Sequence, residues 1–188
     1  ASDRPDRRPR LGPRAESEQL RAIFSICLVL LTGLVSPGNA QAEGEGAFTV
    51  FVTRHAEKAD TSRDAELSDA GRARAAYLAK LLQDADVEYV HSTDFKRTRA
   101  TANPTAETIN AKVNLYSPSA LPDLVAEIRR KRGRHLVVGH TNTALKTVEL
   151  LGGDPGFPID EGTEFDRLYV VTVSARGEVT TILMRYGK

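Results

Sequence analysis

Cysteine is nearly absent from this chain: of 188 residues only Cys27 is one. A disulfide within the chain is therefore excluded, and so is a cysteine-clustered metal site. The chain also lacks a long hydrophobic run. Its most apolar stretch, Ala22–Val35 (AIFSICLVLLTGLV), spans 14 residues, short of the roughly 20 that a membrane-crossing helix needs. A strong charge of either sign is missing as well. Residues 1–42 hold six arginines against four carboxylates, which leaves 20 basic and 21 acidic side chains in residues 43–188. A near-neutral body offers no electrostatic case for nucleic-acid binding. The four histidines lack a paired spacing such as H-x-x-x-H, which argues against a metal site built on them.

The short apolar run has a context. Arg21 precedes it, Pro37-Gly38 follows, and Ala40-Gln41-Ala42 supplies the small-x-small pattern that signal peptidase accepts. The reading is a secretory signal within residues 1–42, cleaved after Ala42, and hence an exported (periplasmic or secreted) product with no cysteine left to act as a nucleophile. A buried core helix or a retained anchor is the competing reading of the same run. Glu43–Gly46 reads as a flexible leader, and the folded domain as residues 47–188.

Within that domain, Ala47–Val52 is a β-branched and aromatic run typical of a strand, and it gives way to a polar loop at Thr53–Lys58. A helix opens near Ser68, a plausible N-cap, with Ala73, Ala76, Tyr77, Ala79, Leu81 and Leu82 as its apolar positions. Val87–His91 and Val113–Tyr116 read as strands. Between them, a helix over Asp94–Ile109 should be kinked or interrupted by Pro104. Pro122 fits the first turn of a helix to about Arg132. His135–Gly139 is a strand, Thr141-Asn142 caps a helix to Leu151, and Arg167–Val173 with Val179–Met184 forms a hairpin. The alternation implies an α/β three-layer sandwich: a mostly parallel sheet, helices on both faces, and a C-terminal antiparallel hairpin.

Three segments share one design, in which an apolar strand ends and reactive polar residues follow at once. They are Val50–His55, Tyr89–Asp94 leading to Arg97, and Val137–His140. Ligand sites of open parallel sheets lie beyond the strands' carboxyl ends, so Arg54, His55, Arg97 and His140 can converge. Two guanidinium groups and two imidazoles facing one another suit an anion, and phosphate fits best because arginine offers it a planar fork of donors. A neutral imidazole can attack phosphorus directly, and a helix starting near Thr141 adds its positive end. His91 and His135 lie within or at the start of strands and read as structural.

Arg54-His55-Ala56-Glu57 resembles the R-H-G-E signature of the histidine phosphatase (phosphoglycerate mutase-like) superfamily. Ser92–Ala102 looks like its second motif, with Arg97 as the pocket arginine, and Val138–Asn142 looks like its second-histidine motif. Ala56 replaces the glycine of the signature, and Ala100 stands where glutamine is common. The resemblance implies a phosphatase acting on phosphomonoesters or phosphoramidates through a phosphohistidine on His55, with Arg54, Arg97 and His140 binding the phosphoryl oxygens. It implies no cofactor and no metal. The partner would be a phosphorylated small molecule or phosphoprotein, with no nucleic acid and no membrane association after signal cleavage. Only 42 residues separate Arg97 from His140, too few for a large substrate-shaping insertion, so the pocket should be open or completed by a protein substrate. The general acid is left open among Asp123 (the first candidate), Glu107 and Glu127. A non-catalytic phosphate or phosphopeptide binder, or a phosphomutase, is the alternative reading.

Overall fold

The computed structural model describes residues 46–187; the apolar run, the Ala-Gln-Ala site and Cys27 lie outside these residues. Six strands form one sheet in the order β3-β2-β4-β1-β5-β6. They are β1 (Phe48–Arg54), β2 (Tyr89–Thr93), β3 (Val113–Tyr116), β4 (Gly133–Gly139), β5 (Arg167–Val173) and β6 (Val179–Arg185). The first four run parallel, and the β5–β6 hairpin closes the sheet antiparallel against β1. The helices are α1 (Asp69–Leu82), α2 (Lys96–Thr108), α3 (Leu121–Lys131) and α4 (Thr141–Leu150).

Alternation along the strands divides the core in two. Phe48, Val50, Val52 and Val137 face α3 and α4, where Leu124, Val125, Ile128, Ala144 and Val148 meet them. Val90, Leu136 and Val138 face the other way, against Leu78 and Leu82 of α1 and Ala102 and Ala106 of α2. Period-two patterning against period-3.6 patterning on both faces yields the three layers. Helix α1 buries Ala75, Leu78, Ala79 and Leu82, at i, i+3, i+4 and i+7, while Tyr77 and Leu81 are exposed. The apolar stripe expected through Tyr77 and Leu81 is thus rotated.

Other departures have local causes. Strand β2 runs to Thr93 because both neighbours supply partners, with Val138 of β4 opposite Ser92 and Tyr116 of β3 opposite Thr93. The two hydroxyls find acceptors, Ser92 Oγ on Thr93 O at 2.8 Å and Thr93 Oγ1 on Thr98 Oγ1 at 3.0 Å. Strand β1 likewise continues through Thr53, whose hydroxyl donates to Arg167 O at 2.8 Å. Pro104 sits inside α2 without ending it; the helix is held on both sides of the proline by buried Thr101, Ala102, Thr105 and Ala106. Helix α4 takes His140 as its N-cap residue, in place of Thr141-Asn142, and Thr143 Oγ1 accepts the His140 N–H at 2.7 Å.

His91 and His135 form a buried pair in the sheet. Arg132 O can only accept, so His135 Nε2–H donates to it at 2.6 Å, and His91 Nε2–H donates to His135 Nδ1 at 3.0 Å. Burial pushes His91 down to about 4, and the same cause brings His55 to about 3. Both rings are neutral in the fold but protonate below about 6.5 once unfolded. Between pH 6.5 and 4.5 the unfolded chain therefore binds more protons, and stability must fall as pH falls. Each group can contribute up to about 1.4 kcal/mol per pH unit there. Urea unfolding at pH 7, 6, 5 and 4.5 should show this loss, with a shallower slope for His91→Gln. A flat profile over that window contradicts the neutral pair.

Candidate active site

Strand register assembles the site. Arg54 lies opposite Gly139 at the adjoining ends of β1 and β4, and His55 N–H donates to Gly139 O at 2.9 Å. His55 and His140 therefore leave neighbouring strands side by side, with ring centroids 5.5 Å apart. Gly139 permits this crossing, since a Cβ there would collide with Thr143 Oγ1 and lie 2.7 Å from Tyr116 Oη. Strand β2, on the other side of β4, delivers Thr93, and α2 begins three residues later with Arg97 on its first turn.

The loop after His55 is anchored at several points. Ala56 N–H donates to Thr101 Oγ1 at 3.0 Å. Ala56 is fully buried against Leu67 and Ala75, so a methyl group fits where the family signature has glycine. Glu57 takes Nε and Nη2 of Arg74 at 2.9 and 2.7 Å, a paired geometry with directional strength. Gly71 on the first turn of α1 packs on the Glu57 backbone so closely that a Cβ would strike its carbonyl oxygen.

Within this frame His55 has one defined tautomer. Its Nδ1–H donates to Ala56 O at 2.8 Å, so Nε2 carries the lone pair, and Nε2 has no partner among the described residues. The ring is 4% exposed, and burial, reinforced by Arg54, Arg97 and His140, holds it neutral. His140 is also neutral, lowered to about 4 by burial and by both arginines. Arg97 Nη2, a donor only, approaches His140 Nδ1 at 3.4 Å, which leaves the proton on Nε2 to donate to Thr93 Oγ1 at 3.0 Å. The resting His140 thus presents a lone pair to Arg97. It can donate into the cleft only after Nδ1 takes a proton.

The arginines are braced by the protein. Arg54 donates Nη1–H to Glu164 O at 3.1 Å and Nη2–H to Glu161 O at 2.8 Å, and its guanidinium lies 4.3 Å from the Phe165 ring centre. Arg97 donates Nη1–H to Arg63 O at 2.8 Å and lies 4.7 Å from the Phe95 ring centre. Each guanidinium has five N–H bonds, so each keeps donors in hand. The Nε atoms of both are buried and have no partner among the described residues. Buried donors of this kind call for an acceptor, and an oxyanion supplies one.

The four residues singled out from the sequence, Arg54, His55, Arg97 and His140, line one cleft of about 230 Å³ with Lys58, Thr141 and Glu161. Of the neighbouring basic run, Lys96 pairs with Glu66 and Arg99 with Asp94 at the surface; only Arg97 turns inward. The three carboxylates considered as acids are elsewhere. Asp123 is exposed on the first turn of α3, where it favours the helix dipole. Glu107 lines a groove between α1 and α2, and Glu127 pairs with Lys131 at 2.8 Å. Sequence reasoning missed Lys58 and Glu161. Among the described residues no group of three or more His, Cys, Asp or Glu could hold a metal ion.

The sequence profile of the histidine phosphatase superfamily (branch 1) matches residues 50–117, a span that contains both Arg54-His55 and Arg97. The same fold recurs in solved structures. The SixA protein of Nakamurella multipartitia superposes with a TM-score of 0.55 at 23% identity, over 74% of this chain and 96% of that one. The protein histidine phosphatase SixA complexed with tungstate gives 0.58 at 20% identity, over 73% and 97%. A mycobacterial glucosyl-3-phosphoglycerate phosphatase gives 0.56 at 14% identity, over 75% and 99%. No curated protein sequence matches the chain at a significant level. Over residues 50–117 the chain is thus similar to the histidine phosphatase superfamily (branch 1), and it shares the fold of these solved structures.

Proposed function

We propose that the protein is a phosphatase in which His55 Nε2 attacks the phosphorus of a phosphomonoester or phosphoramidate, and water then hydrolyses the phosphohistidine. The observation that carries this reading is the state of His55: neutral, its Nδ1 proton fixed on Ala56 O, its Nε2 lone pair unpartnered in a cleft walled by two arginines. A site that only bound phosphate would need donors, and a donor-free imidazole nitrogen would serve it poorly.

Arg54 and Arg97 meet the equatorial oxygens with the N–H bonds they have left, where charge accumulates in transfer. The first turn of α4 at Thr141 adds its positive end. A dianion arriving beside His140 favours the imidazolium form, so His140 takes up a proton on Nδ1 and turns from acceptor to donor. The small cleft recognises the phosphoryl group and little more, which fits a phosphorylated small molecule or a phosphoprotein as substrate. Solved structures of similar fold that are named for phosphohistidine and for glucosyl-3-phosphoglycerate substrates lie on both sides of that choice.

Rapid quenching of residues 43–188 with labelled substrate tests the reading. A phosphoenzyme stable to base and labile to acid is expected, as a phosphoramidate is. Turnover should be unchanged by EDTA, because the arginines supply the positive charge. Activity lost to EDTA and restored by Mg²⁺ or Zn²⁺ would overturn it.

A further inference from the structure

The segment between α4 and β5 carries five carboxylates, and four of them are engaged in building it. Asp154 accepts Gly156 N–H at 2.8 Å. Asp160 accepts Gly162 N–H at 2.9 Å and the Thr163 hydroxyl at 2.8 Å. Glu164 takes Arg167 at 2.5 Å, Arg185 at 2.7 Å and Asp160 N–H at 2.8 Å, and Asp166 takes Arg185 at 2.6 Å. Of the five, Glu161 alone has a carboxylate with no hydrogen bond or ion pair among the described residues, and it is the one carboxylate that lines the His55 cleft. Its place there is fixed through the backbone, because Glu161 O accepts from Arg54 Nη2.

A free carboxylate beside a phosphate is repelled unless it carries a proton. We propose, on the footing of the phosphatase reading above, that Glu161 is the proton carrier of the reaction. As the bond from His55 Nε2 to phosphorus forms and the ester P–O bond breaks, the Glu161 carboxyl gives its proton to the leaving oxygen, releasing the alcohol. The resulting carboxylate takes a proton from the water whose oxygen attacks phosphorus as the P–Nε2 bond breaks, so that inorganic phosphate leaves and the carboxyl is restored. Glu161 lies close enough to raise the proton affinity of both Arg54 and His140, so its carboxyl group stands beside the residues that meet the phosphoryl oxygens. Departure of the leaving group then leaves a base in place for water.

Glu161→Gln keeps the backbone bond to Arg54 and removes only the proton. With an alkyl phosphate, turnover should fall about 10²–10³-fold, the usual size of losing a general acid. With p-nitrophenyl phosphate, whose leaving group needs no proton, the first step should stay fast while hydrolysis of the adduct slows, giving a stoichiometric burst and an accumulated phosphoenzyme. Glu161→Asp should recover part of the alkyl activity. Equal slowing of both substrates without a burst, no slowing of either, or a KM change confined to ammonium-bearing phosphates (a cation-binding role) would each overturn the assignment. These outcomes are distinct from failure of the phosphatase reading, in which the unsubstituted protein itself yields no phosphoenzyme.

Discussion

Replacing His55 with alanine should abolish both turnover and the phosphoenzyme, whereas replacing His140 should leave a slow enzyme that still forms the adduct. The asymmetry follows from tautomers. His55 spends its one proton on Ala56 O and exposes Nε2; His140 spends its proton on Thr93 and faces Arg97 with Nδ1. The first ring offers an electron pair to phosphorus. The second can become a donor to a phosphoryl oxygen when the substrate's charge protonates it. Loss of a nucleophile removes the covalent route altogether, while loss of one transition-state donor costs about 10²–10³ in rate. His140→Ala should therefore retain a detectable burst at high enzyme concentration. Label on His140 or on a serine, or equal and complete loss in both variants, would show that the roles have been assigned to the wrong rings.

The convergence of Arg54, His55, Arg97 and His140 was legible because each follows a strand whose apolar alternation marks where it ends. In a parallel sheet those ends share one edge, so linear position translates into place. The three-layer arrangement was legible for the same reason. Strand ends made of polar residues were harder to read. Thr53, Ser92 and Thr93 extend β1 and β2 on the strength of hydroxyl partners supplied from Arg167 and Thr98, which no local pattern announces. The rotated face of α1 belongs to the same class, since alanine-rich helices carry little signal about which side is buried.

Glu161 was invisible for a different reason. It belongs to a stretch without periodicity, among four other carboxylates whose side chains are structural. What distinguishes it is an absence of partners among the described residues, a property of the folded chain. Asp123, Glu107 and Glu127 lie between the second motif and the second histidine, where a carboxylate was expected, yet none lines the cleft. The chain returns to the site only after α4, through a loop that Arg54 ties down.

That tie gives Arg54 two duties and sets the expectation for Arg54→Lys. Arg54 holds Glu161 O and Glu164 O while keeping N–H bonds for an anion. A lysine offers three donors from one point and cannot span both carbonyls and a phosphoryl oxygen. The rate should fall by about 10³ or more, since one donor to the phosphoryl group is lost and the carboxylate of Glu161 is no longer held at the cleft. Arg97→Lys should lose a comparable donor without touching this loop, because Arg97 braces against Arg63. Hydrogen exchange separates the two. The amides of Gly162, Thr163 and Glu164 bond to Asp160 within the turn that Arg54 clamps, whereas Phe157 and Pro158 are held independently by Arg167. A charge-assisted hydrogen bond is worth about 1.5–3 kcal/mol, so exchange at those three amides should rise roughly tenfold or more in Arg54→Lys and stay unchanged in Arg97→Lys. Unaltered protection in Arg54→Lys, or equal loss in both, would separate the loop from Arg54 and leave the arginine with a phosphate contact alone.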